Sequence, residues 1–249
     1  MKGPRPQWQE AGSPSDPNRS SPWGPAEPAP PGPERVFNAP LLAVLLALSM
    51  PALYLFQSRA HDYWLGLAFA PIDLAEGRYL GLVTSLLVHG GWAHVTMNAV
   101  AALTFGTPVA RLFRGGVGVG VFLALYMASG LVATLGYGLV HWGSVDPLVG
   151  ASGAVFGLIG AATRLLGGGG RVLPLTDRGV ILTAIAWMAV NAVLGLIGFA
   201  PGVEGARVAW EAHAFGFLFG ILAIGPLARI FAGPHERFAS EVRPGDPPF

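Results

Sequence analysis

Between residues 39 and 232 the sequence alternates long runs without a charged side chain with short loops that carry arginines. About 20 apolar residues in a row let a helix cross the ~30 Å hydrocarbon core of a bilayer. A backbone in that core must satisfy its hydrogen bonds within its own segment, so such runs fold as helices. Six can be drawn, at about 39–57, 92–113, 117–140, 149–166, 179–199 and 208–231. The first contains Pro51, where a kink or tilt is expected. Only 12% of the 249 residues are charged, whereas a soluble domain carries about 25%. The predicted fold is therefore an all-α membrane protein, a bundle of six transmembrane helices in contact with a lipid bilayer.

The flanks are of another kind. Residues 1–38 are rich in Pro, Gly, Ser and charge, and too poor in apolar side chains to offset the entropy of ordering. A disordered tail is expected there, a membrane domain over 39–232, and a second polar tail over 233–249. The connection between Ser58 and Gly91 is long for a bundle, and its apolar residues are broken by Pro71 and Gly77. Amphipathic pieces in the interface fit it better than a seventh span. The loops after the second and fourth runs hold Arg111, Arg114, Arg164, Arg171 and Arg178, while the opposite loops hold Arg59, Arg78 and Arg207. The positive-inside rule then places both termini in the cytoplasm. The net charge of +1 offers no basic stripe for a nucleic acid. The absence of cysteine excludes disulfides, thiolate metal sites and a cysteine nucleophile.

This topology brings three polar residues to one depth. The second, fourth and sixth runs all start on the outer side, and His94, Ser152 and His213 lie within the first few residues of each. A polar or ionisable residue within a span is costly and marks a functional site. Taken singly, each has a plainer explanation as a helix–helix hydrogen bond, and the nearby glycines as packing devices. Jointly they point to hydrolysis. Gly150 and Gly153 flank Ser152, and Gly216 and Gly220 follow His213 at i+3 and i+7, so the helices can approach closely enough for the imidazole to take the serine proton. His94 and Asn98, four apart on one helical face, are placed to donate to an oxyanion with the Ser152 N–H. No carboxylate or thiolate accompanies His94 and His213 at metal-ligand spacing, so neither metal nor cofactor is expected. Glu211, two residues before His213, points about 200° away from it on a helix. The imidazole is therefore expected to be held by packing rather than by a carboxylate.

These segments resemble the rhomboid family of intramembrane serine proteases. The likeness rests on Gly150-Ala-Ser152-Gly153, on His213-Ala-Phe-Gly216-Phe-Leu-Phe-Gly220, and on His94-Val-Thr-Met-Asn98 preceded by His89-Gly-Gly-Trp92. It implies an endopeptidase of transmembrane substrates in which Ser152 is the nucleophile, His213 the general base, and His94, Asn98 and Ser152 the oxyanion donors. It also implies a water-filled outward cavity capped by Phe199–Arg207, with lateral entry beside the fifth span and residence in a bacterial plasma membrane. Family members often carry Trp-Arg where this chain has Gly77-Arg78, a Glu where Ala110 stands, and a Tyr where Phe156 keeps only the aromatic face for packing the imidazole. A catalytically inactive relative that binds membrane proteins is the alternative, and such relatives typically lack the Ser or the His. A transporter would show internal repeats and polar residues at the midplane, and neither is seen.

Overall fold

The computed structural model describes residues 39–59, 64, 66–198 and 208–232. The expected tails, 1–38 and 233–249, and the expected cap, Phe199–Arg207, lie outside the described residues. Among those that are described, the structure is helical: α1 (Leu41–Gln57), α2 (Trp92–Leu112), α3 (Gly115–Val140), α4 (Ser152–Thr163), α5 (Arg178–Ile197) and α6 (Trp210–Phe231). Three of these, α3, α5 and α6, are long and apolar enough to cross a membrane, while α1 and α4 are apolar but shorter. Between α1 and α2 lie the single turns Ile72–Ala75 and Gly81–Thr84 and a 3₁₀ turn at Ser85–Leu87.

Helix α4 is the hub. Every residue from Gly153 to Thr163 except Phe156 is buried, which accounts for a composition of Gly, Ala and branched aliphatics with no charge. Glycine sets the distance to α6. A Cβ on Gly216 would overlap the Gly153 carbonyl oxygen, one on Gly220 the Gly157 oxygen, and one on Gly160 the Phe217 oxygen. The two backbones are thus in direct contact over two turns, as small-residue stripes allow in lipid. On its other side α4 meets α3, where Ala133 lies against Gly153 and Ser129 against Gly157.

The ends of α4 are fixed by non-local bonds. Its lead-in pairs with the first connection through an isolated antiparallel bridge, Phe69 to Leu148, and the Gly150 N–H donates to the Ser85 carbonyl at 2.9 Å. At the other end Arg164 is buried. Its Nε donates to the Leu173 carbonyl at 2.7 Å and its Nη1 to the Ile221 carbonyl at 3.1 Å. This arginine, counted from sequence as a loop cation, clamps α4 to α6.

The first connection has two sides. Phe69, Leu82 and Leu86 are buried, whereas Tyr79, Leu80, Val83 and Leu87 are exposed. The inner row packs on α3 at glycines, Leu86 at Gly130 and Phe69 at Gly138. Arg78 pairs with Asp73 and Glu76 within the loop, and the Thr84 hydroxyl donates to the Leu67 carbonyl at 2.8 Å. Buried Gln57, at the end of α1, holds both backbone groups of His89 through its side-chain amide, at 2.6 and 2.9 Å.

Helix α5 stands apart. Asp177 caps it by accepting from the Val180 N–H, and Gly198 ends it at φ 72°, the left-handed conformation that glycine adopts without strain. Of its twenty residues only Val180 and Asn191 are buried.

Candidate active site

Ser152 is the first residue of α4, preceded by Gly150 at φ 120°. An L side chain rarely adopts that conformation, and a Cβ there would also lie 2.7 Å from the His94 ring. The glycine therefore turns the chain into the helix and leaves room for the His94 imidazole beside the serine. His213 lies in the first turn of α6, held to α4 by the Gly216–Gly153 contact. The outcome is a Ser152 Oγ to His213 Nε2 distance of 2.8 Å. The rings of Phe156 and His213 stack at 4.2 Å with 7° between their planes. Trp187 of α5 closes over Phe156 edge-on at 6.3 Å and also meets Phe105 of α2 at 5.3 Å.

The other ring nitrogen of His213 is occupied too. Its Nδ1 lies 2.9 Å from Asn191 Oδ1 on α5, and Asn191 Nδ2 donates to the Trp210 carbonyl at 2.8 Å. The expectation that packing alone holds the imidazole thus misses an amide. The sign in the sequence was slight: Asn191 is an uncharged polar residue inside an apolar run, without the i, i+4 histidine that singled out Asn98. Glu211 turns away from this ring, as its spacing requires, and its carboxylate lies 3.3 Å from His141 Nε2 at the end of α3.

The two residues of α2 are placed differently. The Gly90 N–H donates to His94 Nδ1 at 3.3 Å, which leaves the proton of a neutral imidazole on Nε2, the atom beside Gly150. His89 lies edge-on to His94 at 5.3 Å. Burial first, then the neighbouring His94, push the His89 pKa down to about 4, so it is neutral at neutral pH. Asn98 is buried, but its Nδ2 donates to the His94 carbonyl of its own helix at 3.1 Å. Ser152, His213, Phe156 and His94 thus come together as a group, whereas the observed bond of Asn98 stays within α2. Among the described residues no three His, Asp or Glu side chains are grouped to hold a metal ion.

A serine on a helix start, a histidine at hydrogen-bond distance and a second histidine whose Nε2 lies beside Gly150 can perform acyl transfer. Comparison with known proteins points the same way. The model of the Rhomboid domain matches residues 76–230, more than half of the chain. The chain belongs to the rhomboid family. Rhomboid protease GluP of Bacillus subtilis is 29% identical over 160 residues, covering 64% of this chain and 28% of that protein. Putative rhomboid protease YdcA of the same organism is 27% identical over 190 residues, covering 74% of this chain and 86% of that protein. RHOMBOID-like protein 5 of Arabidopsis thaliana is 33% identical over 146 residues, 58% of this chain and 43% of that one. The chain thus spans about a quarter of GluP and most of YdcA. The rhomboid match takes in His94, Ser152, Phe156 and His213.

Proposed function

We propose that this rhomboid is an intramembrane serine endopeptidase that cleaves transmembrane segments of other membrane proteins with Ser152 as nucleophile and His213 as general base. The observation that carries the reading is the 2.8 Å approach of Ser152 Oγ to His213 Nε2, with the imidazole stacked on Phe156. In the first step Oγ attacks the scissile carbonyl carbon while its proton passes to Nε2. The oxyanion is held by the Ser152 N–H, free at the helix start, and by His94 Nε2–H, with Asn98 as a further donor on rearrangement of its amide. His213 then returns the proton to the leaving amine, and water resolves the acyl-enzyme by the same steps in reverse order. The presence of both dyad members argues against the inactive alternative.

The length of α4 supports a submerged site: twelve residues rise about 18 Å, short of the ~30 Å core, so with the Arg164 end assigned to the cytoplasmic face Ser152 comes below the outer surface, within reach of a transmembrane segment. We assign residues 39–232 to a six-span membrane domain with both termini in the cytoplasm of a bacterium, the site opening to the outer face. A serine-directed fluorophosphonate tests the reading. The purified protein should be labelled, with the adduct on Ser152, and both Ser152→Ala and His213→Ala should lose the label. Equal labelling of Ser152→Ala would overturn the assignment.

A further inference from the structure

Asn191 is a buried polar residue on the helix that is otherwise the least buried of the bundle, and its two amide ends touch two parts of the site. A carboxamide has one end that only donates and one that only accepts. The Trp210 carbonyl can only accept, so Nδ2 must face it, and the 2.8 Å bond fixes the amide the right way round. Oδ1 is then the end facing His213, at 2.9 Å from Nδ1. An oxygen that only accepts requires a proton on Nδ1. In the neutral ring Nε2 is therefore bare, and the Ser152 hydroxyl donates to it. The order of dependence runs from a backbone carbonyl through an amide and a tautomer to the nucleophile.

We propose that Asn191, where α5 is seated against the start of α6, is a positioning residue that locks His213 in the Nδ1–H tautomer. The proposal rests on the reading of Ser152 and His213 as the catalytic pair. A second contact marks the same seat. A Cβ on Gly195, one turn beyond Asn191, would overlap the Trp210 side chain, so α5 meets both the backbone and the indole of this one residue. When Nε2 takes the serine proton the ring becomes a cation, and the Nδ1–H bond to Asn191 becomes charge-assisted. It is stronger in the transition state than in the ground state, which is the condition for raising kcat. Without this acceptor the ring is free to change tautomer, placing a proton on Nε2 that blocks proton transfer.

Two substitutions of similar volume separate this role from packing. Asn191→Leu keeps the volume and removes the acceptor; Asn191→Asp keeps the acceptor and loses the bond to Trp210. In the protein reconstituted in liposomes, Asn191→Leu should lower kcat by about 10–100-fold with KM little changed, the size of effect that orienting partners of metal-bound histidines carry. Asn191→Asp should retain most of the activity. A packing role predicts the reverse order, and that order, or Asn191→Leu at the wild-type kcat, would overturn the proposal. ¹⁵N spectra of histidine-labelled protein, with His213 assigned by difference, give a readout independent of any variant's folding. The wild-type ring should be protonated on Nδ1 and bare on Nε2, and a wild-type ring protonated on Nε2 would refute the lock. Turnover in Ser152→Ala would instead remove the catalytic reading itself, so the two failures are distinguishable.

Discussion

Gly216→Ala is the sharpest test of how the fold sets the dyad distance. The added Cβ would overlap the Gly153 carbonyl oxygen, a backbone atom with no rotamer to yield. Restoring an ordinary contact of about 3.5 Å requires α4 and α6 to part by about 1.5 Å. Gly153 follows the nucleophile and Gly216 lies one turn below the base, so the gap passes almost undiminished to the 2.8 Å Ser152–His213 bond. A misplacement of about 1 Å costs on the order of 10²-fold in rate. Overpacking costs about 1–3 kcal/mol, and replacing a helical glycine by alanine returns up to about 1 kcal/mol, so the protein should remain folded. Gly120→Ala on α3 is the control, because a Cβ there meets nothing within 4 Å. Initial rates of cleavage of a fluorogenic transmembrane substrate in liposomes, with melting curves for each variant, would show Gly216→Ala slowed about 10²-fold and Gly120→Ala near wild type. A folded Gly216→Ala variant at the wild-type rate would refute the claim that this glycine contact sets the distance.

Phe156→Ala removes the ring stacked on His213, and by the strength of such stacks should slow cleavage by about 2–10-fold. Glu211→Gln, whose carboxylate lies against His141, should leave the rate nearly unchanged, and a loss as large as in His213→Ala would show a triad. His94→Ala should cost about 10²–10³-fold as the loss of a principal oxyanion donor. Asn98→Ala should cost less, because its amide is already bonded to the His94 carbonyl; the reverse order in single-turnover assays would mean that the Asn98 amide rearranges to become the main donor.

The helices were legible because their apolar runs are long, and the site because Ser152 and His213 each carry a glycine stripe that predicts close approach. The ends of α4 were less so. Expected from 149 to 166, the helix runs from Ser152 to Thr163, since Gly150 takes a left-handed turn and Arg164 ends the helix by binding carbonyls of distant segments. Those bonds, like the Phe69–Leu148 bridge, join residues far apart in sequence and leave no local pattern. Gln57 looked like a boundary residue at a helix end, yet it closes the backbone of His89. Asn191 has neither a motif nor a stripe of small residues around it, and only the meeting of α5 with the start of α6 gives it a partner. Arg78 is tied within its own loop to Asp73 and Glu76.

The most direct test of the central claim is cleavage of a single-span membrane substrate by the purified protein reconstituted in liposomes, comparing wild type with Ser152→Ala, His213→Ala and the double variant. The account predicts specific cleavage by wild type, none above background in either folded single variant, and a double variant no worse than either, since the two side chains act as one unit. Substantial cleavage by Ser152→Ala would contradict it.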